Sequence, residues 1–311
     1  MCPLFIMKDV REELNNLEKI STFKISNSIE VNRIGFGAMQ LLGKGRWGPP
    51  KDINAAVNVL KHSTNLGVNF IDTADSYGPN FSENLIRETL YPYKDLTIAT
   101  KAGFVRRGPD MWHINCRPEY LISCVKKSLS NLKLEQIPLW QLHRIDPTVP
   151  RADQFGTIKQ LLDEGLIACA GLSHVSVSDI KEASNIFPVA TVQNRYNIAD
   201  RQSDDVVDYC TMNNIGFIPY YPLGGRGELT NSGGLLENFA KSKNATSAQI
   251  ALAWLLKRSK VIIPIPGTSV VTHLEENMSA HNVILTDKEF NMLCSLNTDG
   301  TNKAPTKWQG Y

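Results

Sequence analysis

The chain lacks the cysteine pairs of a disulfide scaffold or a zinc site. Its six cysteines, Cys2, Cys116, Cys124, Cys169, Cys210 and Cys294, stand apart. No two have C-x-x-C spacing, and no histidine lies at a finger-like distance from two of them, so no metal is expected. Free thiols in a reducing cytoplasm are the expectation. No apolar run approaches the roughly 20 residues that cross a bilayer. Met1 to Met7 is too short, and too soon followed by acids, for a signal peptide. An excess of one charge is missing as well. Lys plus Arg number 33 against 31 for Asp plus Glu, a net charge of +2. That gives no electrostatic ground for nucleic acid or an anionic membrane as partner. No G-x-G-x-x-G follows an apolar run, since Gly35-Phe36-Gly37 continues to Gln40. A Rossmann domain is therefore not expected. Nor does a Pro/Gly/Ser linker divide the 311 residues.

What is present alternates. Short apolar runs at Arg33–Phe36, Asn69–Asp72, Leu96–Lys101, Pro138–His143, Ile167–Leu172, Val189–Gln193, Ile215–Tyr220 and Val261–Ile265 read as strands. Amphipathic stretches lie between them at Ile53–Leu66, Glu83–Leu90, Pro118–Leu132, Gln154–Glu164, Val177–Ile186, Asp204–Asn213, Ser247–Arg258 and Thr272–Ala280. Alternation of this kind predicts an α/β fold with a parallel sheet. Eight repeats over about 250 residues predict a single (β/α)8 TIM barrel. Ser82 reads as an N-cap, and Gly67 and Gly165 as left-handed residues after helix ends. A hairpin over residues 22–32 is expected to cover the barrel bottom. The domain reading is a helical extension at 1–21, the barrel at 22–298 and a tail at 299–311.

Strand ends of a parallel barrel open onto one face, and that face holds the chemistry. Asp72, Lys101 and His143 each close an apolar run, and Tyr77 lies five residues after Asp72. A tyrosine near its usual pKa of about 10 is a weak acid at neutral pH. An adjacent ammonium favours phenolate and lowers that value. Lys101 is expected to supply the ammonium and Asp72 to hold it charged. His143 then orients a carbonyl oxygen. The set suits proton donation to an oxygen that becomes negative as hydride reaches its carbon. Each residue has a plainer reading as cap, packing or solvated charge; the grouping on successive strand ends favours the joint one.

The run Gly67-Val68-Asn69-Phe70-Ile71-Asp72-Thr73-Ala74-Asp75-Ser76-Tyr77-Gly78, with Ser82-Glu83 beyond, resembles the signature of the aldo-keto reductase superfamily. Arg33 to Met39, Leu139 to Asp146, Gly171-Leu172-Ser173, Val192-Gln193-Asn194, Pro222 to Gly225 and Ile265 to Thr268 through Leu274 to Asn277 agree in order. The resemblance spans about residues 22–297. It implies NADPH-dependent reduction of an aldehyde or ketone, with Tyr77 as general acid, Lys101 and Asp72 tuning it and His143 positioning the oxygen. It further implies that Tyr220 stacks on nicotinamide and that Ser173, His174 and Gln193 bond the carboxamide. Ala38, Met39 and Asp72 fall within the cofactor cleft. Glu276 and Asn277 approach adenine.

Phosphate-binding material follows the seventh and eighth apolar runs, where barrels hold phosphate. The first loop holds Pro222, Leu223, Gly225 and Arg226. In the second, Gly267, Thr268, Ser269 and His273 lead into a helix N-terminus. Three departures stand out. His174 replaces the usual Asn. Tyr221 replaces a small residue. The stretch from Thr268 to His273 lacks Arg or Lys, which leaves NADH possible beside NADPH. Trp47, Trp112 and Trp308 are candidates for the substrate wall. The partner expected is a small carbonyl compound, and the protein a monomer or small homo-oligomer. Within the superfamily, Gly37-Ala38-Met39-Gln40-Leu41 and Gly48-Pro49-Pro50 resemble a bacterial oxidoreductase group near the pyridoxal reductases. The alternative is an NADP(H)-binding regulatory or redox-sensing protein of the same fold.

Overall fold

A computed structural model describes residues 20–224, 229 and 236–295. The expected helical extension at 1–21, apart from Ile20 and Ser21, the loop residues Gly225 and Arg226, and the tail with Trp308 lie outside the described residues.

The chain opens on an antiparallel hairpin, β1 (Thr22–Lys24) and β2 (Glu30–Asn32). Seven parallel strands follow: β3 (Phe36–Gly37), β4 (Phe70–Asp72), β5 (Thr97–Ala102), β8 (Ile137–Leu142), β9 (Ile167–Ser173), β10 (Val189–Gln193) and β11 (Gly216–Phe217). The short strands β6 (Phe104–Gly108) and β7 (Met111–Ile114) form a second antiparallel hairpin after β5. The sheet order is β11-β10-β9-β8-β5-β4-β3, so each strand lies beside its neighbour in sequence. Helices α1 (Ile53–Asn65), α2 (Phe81–Leu90), α3 (Pro118–Leu132), α4 (Arg151–Asp163), α5 (Val177–Ser184) and α6 (Asp204–Asn213) make the crossovers. Beyond β11 come α7 (Glu237–Ser242), α8 (Ser247–Arg258), α9 (Val271–Met278) and α10 (Asp287–Ser295). Strand side chains are buried on both faces, among them Phe70, Ile71, Leu139, Trp140 and Leu172, as in a sheet wrapped by helices.

The expected eighth strand does not form a ladder, yet residues 261–266 bond both sheet edges. Phe217 N donates to Val261 O at 2.8 Å and Ile263 N to Phe217 O at 2.8 Å. On the other side Gly35 N donates to Pro264 O at 3.0 Å and Gly37 N to Pro266 O at 3.4 Å. Pro264 and Pro266 have no N–H to return, so only half of a regular pairing is possible. Prolines also explain why β11 stops before Pro219. Arg33, expected in the first strand, instead turns its guanidinium to the carbonyls of Leu256, Ser259 and Ile262 at 2.6–3.0 Å.

Gly67 and Gly165 take positive φ, +88° and +70°, as helix ends require. The N-cap of α2 is a correction. It is Asn80, at φ 60°, and not Ser82, which lies within the first turn and whose hydroxyl accepts from Thr73 Oγ1 at 2.8 Å. The hairpin β1–β2 packs Phe23 against Gly216 at the N-terminal end of β11, away from the strand ends that bear Asp72 and Lys101.

Candidate active site

Strand register brings the polar residues together. Asp72 ends β4, Lys101 lies in β5, Ser173 ends β9 and Gln193 ends β10; His143 follows β8. Lys101 Nζ donates to Asp72 Oδ2 at 2.6 Å and to Thr73 O at 2.7 Å, and both side chains are buried. The other Asp72 oxygen accepts from Gln193 Nε2 at 2.9 Å and Gln141 Nε2 at 3.3 Å. A buried carboxylate so paired and bonded avoids the cost of an isolated charge.

Above this base stands Tyr77. Lys101 Nζ is 5.3 Å from its ring centroid. The imidazole of His143 meets the ring edge-on at 5.9 Å, and Trp112 does so at 6.4 Å. Phe104 completes the wall, 4.7 Å from His143 and 5.3 Å from Trp112. Met39 packs on the cluster of Ala74, Tyr77 and Trp112. Burial, together with Lys101, Arg144 and Arg106, holds His143 well below the usual histidine range, so the ring is neutral. Its Nδ1 is buried with no hydrogen-bond partner.

The electrostatics of Tyr77 differ from the sequence expectation. Its pKa is pushed well up, first by burial and then by the Asp72 charge, while Arg144 and Arg46 oppose. The Lys101 charge, paired with Asp72 at 2.6 Å, is outweighed by burial and by Asp72. The phenol therefore keeps its proton at neutral pH.

The residues expected around a cofactor are placed as follows. Ala38 follows β3 in a short 3-10 turn. Ser173 Oγ accepts from Arg144 Nη1 at 3.3 Å. His174, at φ 59°, faces the hydroxyl of Tyr220 with Nδ1 at 3.5 Å. Gln193 commits one donor to Asp72 and keeps its carbonyl for another partner. Pro222 is buried and Leu223 half-buried. Gly267 lies against Gly37: a Cβ there would sit 2.4 Å from Gly37 O. Thr268 Oγ1 accepts from Val270 N at 3.0 Å, leaving Ser269 exposed at the start of α9. His273 is exposed, Glu276 half-buried and Asn277 buried.

Two of the three tryptophans proposed for the substrate wall are described. Trp112 is buried in the wall, with the Arg106 guanidinium over its ring at 3.6 Å, so that face is covered. Trp47 pairs by a bridge with Gly78 and is half-buried. The sequence reading missed Phe104, Arg106, Gln141 and Arg144. The turn residues Gly108-Pro109-Asp110 signalled the hairpin that carries two of them.

A family model described as the Aldo/keto reductase family matches residues 33–298. An oxidoreductase of Schizosaccharomyces pombe is 51% identical over 269 residues, 86% of this chain and 87% of its own. Pyridoxine 4-dehydrogenase of Escherichia coli is 42% identical over 282 residues, 88% of this chain and 97% of its own. Among solved structures, a thermostable aldo-keto reductase in complex with the inhibitor epalrestat has a TM-score of 0.76 at 27% identity, over 87% of this chain and 97% of that one. An aldo-keto reductase of Klebsiella pneumoniae in complex with NADPH has a TM-score of 0.75 at 20% identity, over 90% and 95%. The chain belongs to the aldo/keto reductase family. It is accordingly an oxidoreductase.

Proposed function

We propose that the protein reduces aldehydes to alcohols with NADPH, pyridoxal being the first substrate to try, and that Tyr77 is the general acid. The ring closed through residues 261–266 is taken as a (β/α)8 barrel. The observation that carries the proposal is the Tyr77 ring set edge-on to His143, with the Asp72–Lys101 pair beside it. NADPH, when bound, supplies the hydride.

The chain's own residues do the rest. His143, uncharged, offers a hydrogen bond to the carbonyl oxygen without a competing charge. Tyr77 holds its proton until that oxygen turns into an alkoxide. An alkoxide is more basic than phenolate, so transfer needs no prior lowering of the phenol. Lys101 keeps a cation within 5.3 Å of the ring, which favours the phenolate left behind. The donor set fits the cofactor: Ser173, His174 and the Gln193 carbonyl suit a carboxamide, and Tyr220 offers an aromatic face. Gly267, too close to Gly37 for any side chain, lets backbone amides before α9 approach a phosphate.

The substrate class follows from the Escherichia coli relative and the aromatic wall of Phe104 and Trp112. Loss of absorbance at about 340 nm with pyridoxal and NADPH tests it. No loss with pyridoxal or any aldehyde, with NADPH or NADH, contradicts it.

A further inference from the structure

Arg106 extends from the β6–β7 hairpin with every N–H of its guanidinium in use. Nε donates to Met111 O at 3.1 Å. Nη1 donates to Arg46 O at 3.2 Å and Ser76 O at 2.9 Å. Nη2 donates to Gly45 O at 2.9 Å and Gly108 O at 3.2 Å. A guanidinium carries five N–H donors in a fixed plane. Here each has its own main-chain carbonyl.

The acceptors come from three separate segments: the loop after β3, the loop bearing Tyr77, and the hairpin itself. Ser76 O belongs to the peptide joined to Tyr77. Two acceptors do double service. Gly45 O also takes Asp110 N at 3.0 Å, and Arg46 O also takes Gly78 N at 3.2 Å. Arg46, Gly48, Gly78 and Asp110 of these segments all stand at positive φ. Over the guanidinium plane lie Trp112 at 3.6 Å and, farther off, Trp47 at 5.6 Å. Trp112 in turn packs on Tyr77.

We infer that Arg106 is a positioning residue: a clasp of five carbonyls that fixes the hairpin and the first loop against the Tyr77 loop and so sets the place of the catalytic phenol. Lysine cannot replace it. An ammonium has three donors at one point and no plane to lie on an indole.

This role rests on Tyr77 as the acid, and two measurements keep the ideas separable. Hydrogen exchange on the full chain reads the clasp without any assumption about chemistry. Arg106→Met and Arg106→Lys should both raise exchange at the amides of Gly48, Gly78 and Asp110 together, while β8 and β9 stay protected. Steady-state kinetics read the consequence. A catalytic group displaced by an ångström loses about 100-fold in rate, so kcat should fall by about that much in both variants. NADPH affinity by fluorescence titration should stay within about threefold, because no acceptor belongs to the cofactor residues. Added guanidinium should restore part of kcat in Arg106→Met.

Unchanged exchange at the three amides, or exchange raised in β8 and β9 as well, overturns the clasp. Raised loop exchange with kcat within about threefold of the wild type, or kcat and NADPH affinity falling together, overturns the positioning role. A wild type inactive on every carbonyl refutes the proposed reaction and leaves the exchange test standing.

Discussion

Asp72 is where the site's charges balance. One oxygen holds Lys101 and the other holds two glutamine amides, all out of water. Removing one member of such a pair strands the other, at a cost of about 3–5 kcal/mol. Lys101→Met should therefore lower unfolding free energy by about that amount in urea melts. Equal stability would mean the pair is not closed as described. A second carboxyl makes a different kind of prediction. Burial, with the nearby Glu83 charge, pushes Asp75 up to about 8, and its Oδ1 has no partner. Glu83 is also pushed up by burial, but it accepts from Thr100 Oγ1 at 2.6 Å and Asn131 Nδ2 at 2.8 Å, which oppose the shift. Asp75 binds its proton in the folded state and not in the unfolded one, whose carboxyl titrates near pH 4. Its contribution is complete below about pH 4 and is lost as pH rises toward about 8. Asp75→Asn should flatten that part of the stability profile. The same slope in both proteins would assign the dependence elsewhere.

Among the elements, the seam between β3 and residues 261–266 is the least regular and the most sensitive. Gly267→Ala puts a methyl 2.4 Å from Gly37 O, a backbone atom that cannot swing aside. The seam must part, so thermal stability and NADPH affinity should fall together. If both survive, Gly267 is not needed for the close approach of the backbone at this seam. Most other elements were legible in the sequence. The apolar run of β10 and the periodicity of α3, α6 and α8 gave their observed limits, because parallel strands and amphipathic helices write their burial into the chain. The prolines at 219, 264 and 266 broke that rule: apolar composition promised strands where N–H donors are missing. The hairpin β6–β7 was harder to see because it packs on the site, and a run such as Phe104-Val105-Arg106-Arg107 has no clean alternation. The grouping of Asp72, Lys101 and His143 at strand ends, with Tyr77 in the loop after the first, was legible in the chain, but the contacts of Arg106 were not. Arg106 bonds carbonyls up to 61 residues away, which no local pattern records.

Across the whole molecule, a sheet whose strand ends open on one face gathers chemistry from distant parts of the chain. Asp72 and Gln193, 121 residues apart, meet at 2.9 Å. No helix of the described residues is long and apolar enough to cross a membrane. Family membership fixes the class of reaction as oxidation–reduction. The central claim is that the phenol of Tyr77 delivers the proton. Its most direct test is single-turnover loss of nicotinamide absorbance with pyridoxal in the wild type and in Tyr77→Phe, both saturated with NADPH. Equal NADPH binding and a rate about 100- to 10,000-fold lower are expected in the variant. A Tyr77→Phe protein that binds NADPH and turns over at the wild-type rate contradicts it.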